Sequence, residues 1–264
     1  MRILIKGAGD LATGIAYRLR AAGYEVLMTE TAIPTTVRRT VAFSRAVYED
    51  QAEIEGVTGI LVHDMKEIEE ALLEGKVPII VDEQAAIREQ YRPEVEVDAI
   101  IAKKNLGTRI TDAPLVIGVG PGFEAGKDCH AVVETKRGHY LGKVIRKGSA
   151  IPNTGVPGDI GGFTTERIIR ATAEGIFVPI AKIGELVEKD QLVAYSGTEP
   201  VYAKMSGMVR GMLQSGVMVT KNMKCGDIDS RSELQHCFTI SDKARAIAGG
   251  VLEAVAGYEH QKEH

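Results

Sequence analysis

The densest chemistry in the chain lies in the run "KDCHAVVET", which contains Asp128, His130 and Glu134. Extended backbone alternates its side chains between two faces. A strand from Asp128 to Thr135 therefore points these three one way and Cys129, Ala131 and Val133 the other. Two carboxylates and an imidazole on one face can bind a metal or shuttle protons, which makes Asp128, His130 and Glu134 the candidate catalytic residues. The same groups can instead hydrogen-bond the glycine-rich turns beside them. His139 follows the Arg137-Gly138 turn and can return to the same place. Cys129 faces away from His130, and nothing in the sequence lowers its pKa, so thiol chemistry is not favoured.

A second constellation opens the chain. Residues Arg2 to Lys6 form a short β-rich run, followed by Gly7-Ala8-Gly9-Asp10-Leu11-Ala12, a G-x-G-x-x-A pattern, then by Ile15, Leu19 and Ala22 at helical spacing up to Gly23. A strand from Glu25 to Met28 comes next and ends in Glu30. Each part has a mechanical reason: Gly7 permits the tight turn, Gly9 lets backbone approach a pyrophosphate, Ala12 allows close packing of helix on strand, and the helix N-terminus favours the anion. Glu30 stands where a carboxylate accepts hydrogen bonds from a ribose, and it favours NAD over NADP because a second phosphate would meet its charge. Asp10 lies in the phosphate turn and repels an anion unless it points away, so a nucleotide fold without its ligand is the alternative.

These residues need elements to position them. Val57 to Val62, Pro78 to Val81 and Val97 to Ala102 read as strands, with helices at Lys66 to Leu73 and Glu83 to Tyr91. Such alternation predicts a parallel sheet with right-handed crossovers, whose ligands sit beyond the strands' carboxyl ends. Lys103, Lys104 and Asn105 follow the last of these strands. Gly7, Gly9, Asp10, Ala12, Glu30, Lys103 and Asn105 are thus the candidate cofactor-binding residues. The segment from Thr31 to Val47 is expected to fold over the cleft mouth, where Arg38, Arg39 and Arg45 either hold an acidic substrate or cover the surface.

After a strand at Leu115 to Val119, glycines dominate. "PNTGVPGDIGG" is too rich in glycine and proline for regular structure, and Asn153, Thr154 and Asp159 are its polar candidates. A helix is expected from Thr165 to Ala173. From Glu174 short apolar strands separated by turns predict a small sandwich resembling the biotinyl/lipoyl-type barrel-sandwich hybrid. "SGTEP" occupies the turn where a carrier lysine would stand, so covalent biotin or lipoate is excluded. Asp227 and Asp229 share a strand face; with Arg231 they form either a cation or polar-ligand site or a salt-bridged turn. Ser241 is a natural N-cap for a closing helix.

Composition bounds the function classes. The 264 residues carry a net charge of −4, with 44% hydrophobic and 26% charged side chains, an ordinary globular balance without a basic stripe for nucleic acid. No apolar run approaches the roughly 18 residues of a membrane helix. The three cysteines lack metal-type spacing and suit reduced thiols in a cytoplasm.

Several blocks together, "VRRTVAFSRAVYE", "AKKNLGTRI", "GVGPGFEAGKDCHAVVETKRGHYLGKVI", "NTGVPGDIGG", "KCGDIDSR" and "ISDKARAIAGGVLEA", resemble the YqeB-like accessory proteins of selenium-dependent molybdenum hydroxylase systems. The N-terminal part is also similar to the Rossmann domain of xanthine dehydrogenase accessory (XdhC-like) proteins. Ser230 departs from the family pattern, where proline is expected. The resemblance implies a maturation factor that helps equip a molybdenum hydroxylase with its cofactor, with that hydroxylase or its cofactor-insertion machinery as partner. The bound group would be NAD or a molybdopterin-type nucleotide; an NAD-dependent oxidoreductase and a metal-dependent hydrolase or nucleotidyl transferase are the alternatives, and whether the protein is an enzyme is left open.

The expected fold class is α/β: a Rossmann-type doubly wound parallel sheet over residues 1–114, then a glycine-rich β domain over 115–264. The barrel-sandwich part covers about 174–228, before a closing helix. Apolar glycine-rich strands at a rim point to a homodimer.

Overall fold

The structure is a computed structural model that describes residues 1–153, 155 and 162–262. Thr154 and Asp159, two of the loop candidates, lie outside the described residues. The chain divides into two compact units: Met1–Pro34, Ala42–Thr154 and Ile240–His264 form the first, Thr35–Val41 and Gly155–Thr239 the second.

In the first unit the strands are β1 (Arg2–Lys6), β2 (Glu25–Glu30), β3 (Gln51–Ile54), β4 (Val57–Val62), β5 (Val77–Val81), β6 (Val95–Asp98), β7 (Leu115–Val119), β8 (Glu124–Ala125), β9 (Ala131–Val133), β10 (Val144–Ile145) and β11 (Gly148–Ser149). Its helices are α1 (Asp10–Ala21), α2 (Ala46–Glu49), α3 (Met65–Leu73), α4 (Arg88–Tyr91) and α5 (Asp242–Lys262). Nine strands form one sheet in the order β10-β9-β7-β6-β1-β2-β5-β4-β3, while β11 and β8 pair separately. The seven central strands run parallel, and β3 and β10 are antiparallel edges.

Parallel strands covered on both faces read as continuous apolar runs, as Ile3-Leu4-Ile5 do. On one face Ile3, Ile5, Val97, Ile117 and Val133 pack with Ile15 and Leu19 of α1 and Ile247 and Val251 of α5. The other face is split. Leu4, Leu27, Ile80, Ile68 and Tyr91 form one cluster, and Val116, Phe123, Cys129 and Val132 another.

Local chemistry sets the helix ends. Asp64 Oδ1 accepts the Glu67 amide at 2.9 Å and Glu67 Oε2 accepts the His63 amide at 2.7 Å, a reciprocal cap that starts α3. Ser241 Oγ accepts from the Ala244 amide at 3.1 Å and starts α5. Gly23, at φ +92°, ends α1.

The second unit contains β12 (Ile168–Arg170), β13 (Gly175–Pro179), β14 (Leu186–Val187), β15 (Leu192–Ser196), β16 (Glu199–Tyr202), β17 (Gly207–Met212), β18 (Met218–Val219) and β19 (Lys224–Asp229). They form two four-stranded antiparallel sheets, β12-β19-β17-β14 and β16-β15-β13-β18. One apolar cluster, including Phe177, Val193, Val209, Leu213 and Ile228, fills their interior.

Several expectations need correction. The large sheet is mixed rather than a parallel doubly wound one, and it takes β7, β9, β10 and α5 from beyond residue 114, so the chain does not divide there. A separate β domain beginning at residue 115 with a barrel-sandwich hybrid is not what forms; the second unit is the pair of sheets just described. The helix expected over 165–173 is instead strand β12, because Ile168 and Ile169 are buried against β19. The strand expected over 128–135 shrinks to β9, and the helix expected over 83–91 shrinks to α4.

Gly250 shows how tightly α5 seats. A Cβ there would lie 2.1 Å from the Gly142 carbonyl oxygen and 2.9 Å from Val133 Cγ1. Alanine in a helix ordinarily gains up to about 1 kcal/mol over glycine, but overpacking against rigid backbone typically costs about 1–3 kcal/mol. Gly250→Ala should therefore lower stability to denaturant by roughly 1–2 kcal/mol; a stabilised variant would refute this packing.

Candidate functional site

The carboxyl ends of β1, β2 and β5 surround a cavity of about 270 Å³. Glu30, Thr31, Asp82, Glu83, Ile100 and Leu106 line it, together with Lys6 and Gly7. Because β1 is paired with β2 on one side and β6 on the other, the cavity lies beside the point where the strand order reverses, the usual place for ligands in open α/β sheets.

Glu30 organises this end of the sheet. Its Oε2 accepts the Ala8 amide at 2.9 Å and its Oε1 the Thr31 amide at 2.8 Å. Burial raises its pKa, while those two amides work to lower it. Gly7 turns at φ +92°, and a Cβ there would lie 3.1 Å from the Ala99 carbonyl oxygen, so glycine is required on both counts. Gly9 is the N-cap of α1 and supplies no side-chain cap. Asp10 opens the helix and Ala12 is fully buried. Residues 43 and 44 lie against the turn: the Ser44 amide donates to the Ala8 carbonyl at 2.8 Å, and the Phe43 amide donates to Thr13 Oγ1 at 2.9 Å.

Next to the cavity the sheet's split face is filled by a polar belt that the sequence reading missed. Glu96 stands in register between Leu4 of β1 and Val116 of β7, and Asp98 stands opposite Lys6. Lys6 Nζ donates to Thr108 Oγ1 at 2.5 Å, Thr108 Oγ1 donates to Asp98 Oδ2 at 2.6 Å, and Lys6 and Asp98 form an ion pair at 3.5 Å. Arg88 Nη1 lies 2.8 Å from Glu96 Oε2 and 2.9 Å from Asp112 Oδ2. Glu96 is fully buried, and its Oε1 has no hydrogen-bond partner among the described residues. Its pKa is pushed up to about 7, chiefly by burial, against the pull of Arg88 and Lys6. The "VEVD" alternation of β6 was the available signal, since it puts two carboxylates on one strand face; the strand had been expected two residues later, at 97–102.

Lys103 and Asn105 lie in the crossover from β6 to β7. Lys103 is exposed at φ +64°. Asn105 is spent on its own loop: its Nδ2 donates to the Thr108 carbonyl at 2.8 Å and its Oδ1 accepts the Gly107 and Thr108 amides at 2.8 Å. It thereby shapes the turn that delivers Thr108 to Lys6.

The catalytic candidates do not converge. Asp128 Oδ2 accepts the Glu124 amide at 2.9 Å, closing a turn. His130 Nδ1 accepts the Val116 amide at 2.9 Å while its own amide donates to the Val116 carbonyl at 2.8 Å. Burial lowers its pKa. Glu134 is buried, and its two oxygens accept the Lys136 and Ile151 amides at 2.7 and 2.8 Å. With β9 reduced to residues 131–133, the expected common strand face does not exist. Among the described residues no three His, Cys, Asp or Glu side chains gather as a metal site requires. Cys129 is buried, and burial pushes its thiol up to about 11. His139 is exposed and meets Tyr140 edge-on.

In the second unit Asp227 and Asp229 do share a buried face of β19. Asp227 pairs with Arg167, and Asp229 with Arg231 Nη2 at 2.6 Å; Arg210 approaches both at 3.8 Å. Burial acts to raise the Asp229 pKa, but the Arg231 bonds outweigh it and hold it below the usual range. Arg38 and Arg39 donate to main-chain carbonyls of His236, Thr239 and Met212.

No protein-family model matches the chain. It is 49% identical over 259 residues to the "Uncharacterized protein YqeB" of Escherichia coli (strain K12), covering 98% of this chain and 48% of that protein. The likeness runs over nearly the whole length of this chain. The chain spans about half the length of that relative. Among solved structures it matches an aspartoacylase family protein from Mesorhizobium loti, 10% identical, covering 80% of this chain and 58% of the other at a TM-score of 0.26. It also matches a succinylglutamate desuccinylase from Silicibacter sp. TM1040, 12% identical, covering 86% and 84% at a TM-score of 0.26.

Two expectations are corrected. The YqeB relative is itself uncharacterized, so it lends no support to the expected molybdenum-hydroxylase accessory role, which is not carried further. The expected Rossmann-plus-biotinyl fold class is corrected by the topology itself, a mixed nine-stranded sheet and two four-stranded antiparallel sheets. At TM-scores of 0.26 the solved structures bring neither fold nor activity to this chain. No helix among the described residues is long and apolar enough to cross a membrane.

Glu96 gives a pH test. Its pKa rises from the ordinary 4.5 to about 7, so between those values the folded chain retains a proton that the unfolded chain has lost. Stability from this group is therefore present at low pH and declines as pH rises through that window, by up to roughly 3 kcal/mol at 1.36 kcal/mol per unit. Denaturation of wild type and Glu96→Gln from pH 4.5 to 8 should show the steeper decline in wild type, and equal slopes would refute it.

Proposed function

We propose that the first unit binds a nucleoside-bearing small molecule of the NAD class, with a ribose at Glu30. The observation that carries this reading is the double use of one carboxylate: Glu30 fixes the Ala8 amide of the glycine turn and also lines the cavity. A carboxylate offers about four lone-pair positions. Two are taken by the Ala8 and Thr31 amides. The others can accept hydroxyl donors, which is what a ribose presents.

The remaining walls support the same occupant. Asp82 and Glu83 add acidity that disfavours a phosphate in this cavity and favours hydroxyls, while Ile100 and Leu106 offer apolar contact to a base. A phosphate attached to that ribose has the N-terminus of α1 within the same glycine-rich segment, where the helix dipole favours an anion. The volume sits near the lower edge of the roughly 300–1,000 Å³ range of ligand pockets, suited to part of a dinucleotide. Asp128, His130 and Glu134 are engaged with backbone amides elsewhere, so the reading is one of binding.

Thermal-shift and calorimetric titration test it. NAD and adenosine should each raise the melting temperature, with stabilisation of about 2.7 kcal/mol at a hundredfold excess over Kd. NADP should bind at least tenfold more weakly than NAD, because its added phosphate meets Glu30. Absence of any shift with millimolar adenosine or NAD would overturn the reading.

A further inference from the structure

The crossover from β6 to β7, residues 99–114, contains no helix. The sheet face over β1 and β6 is consequently left with an open groove of about 1080 Å³ instead of an apolar cover. Lys6, Gln84 and Leu106 line both this groove and the 270 Å³ cavity, so the two spaces share a wall.

Charge along the groove is unevenly spent. Arg88 is committed to Glu96 and Asp112, and Glu94 to Lys262. Arg92 and Arg109 are exposed and make no ion pair among the described residues; Glu89 is the acid left to oppose them. Lys6 is 4% exposed, yet its ammonium has only Thr108 Oγ1 and Asp98 Oδ2 as partners among the described residues. A lysine ammonium carries three N–H donors, so one remains at the wall between the two spaces. Burying a charge is costly unless it is paired and hydrogen-bonded. Asp98 and Thr108 offset that cost here while leaving a donor unused.

We propose that the groove is an oxyanion subsite continuous with the cavity, and that it receives a phosphate or carboxylate arm of the bound molecule through Lys6, Arg92 and Arg109. The arm's continuity with a nucleoside rests on the reading above; the oxyanion site itself does not. Lys6 supplies the inner donor, held in place by Asp98 and Thr108. The two guanidiniums supply planar paired donors at the rim, a geometry suited to either oxyanion.

Calorimetric titration of the full chain separates the two ideas. Inorganic pyrophosphate and citrate serve as phosphate and carboxylate probes, and adenosine as the nucleoside probe. The Arg92→Ala/Arg109→Ala double variant, whose changes lie on the surface, should bind the preferred anion at least tenfold more weakly while leaving adenosine affinity unchanged. Lys6→Met should show the same loss and Lys6→Arg should recover part of it, with circular dichroism checking that the fold persists. Whichever anion binds identifies the arm. Anion affinity absent in wild type, or unchanged in the double variant, overturns the proposal whatever adenosine does. Anion binding that the double variant loses, with no adenosine binding, leaves the oxyanion site standing and removes the nucleoside.

Discussion

A parallel sheet covered on both faces has little room for charge, yet this one carries an ammonium and two carboxylates at its centre. Lys6, Glu96 and Asp98 occupy neighbouring positions on β1 and β6, and each is nearly or fully buried. Such groups persist only when partners are delivered to them. Thr108 and Arg88 are those partners, and they arrive from two separate segments. The requirement to satisfy this belt explains why the second face splits into two apolar clusters, why the β6–β7 connection stays irregular, and why a groove opens there.

The glycine turn depends on the same end of the sheet. Gly7 follows Lys6 directly, turns at φ +92°, and passes so close to Ala99 that a Cβ would crowd its carbonyl oxygen at 3.1 Å. Glu30 then ties Ala8 down from β2. The turn is thus braced from both flanking strands, one by backbone contact and the other by a carboxylate. Preorganisation of this kind lowers the ordering cost that a ligand would otherwise meet.

Much of the first unit was legible because its signals are local. Apolar runs bounded by glycine or charge located β1, β4 and β7 at their observed limits, and Ser241 announced the start of α5. What failed was non-local. Thr165 to Ala173 has a helical look, but pairing with β19 decides for strand. Asp128, His130 and Glu134 fit an alternating strand on paper; in the fold each is drawn off by a nearby amide, and the ladder covers three residues. Beyond the alternating carboxylates of β6, the belt was hidden for a related reason. Lys6 and Thr108 are 102 residues apart, and they meet through the parallel register of β1 with β6 together with the turn that Asn105 shapes.

The order in which this chain emerges during synthesis acquires meaning from α5. That helix completes the apolar layer over β7, β9 and β10, yet it is encoded after the entire second unit. While residues 155–239 are being made, the nascent sheet must wait with Ile117, Val133 and their neighbours uncovered. Contacts of such long sequence separation form slowly, and an uncovered apolar layer is prone to aggregation in the interval. The second unit, whose pairings all lie within residues 168–229, can close during that wait.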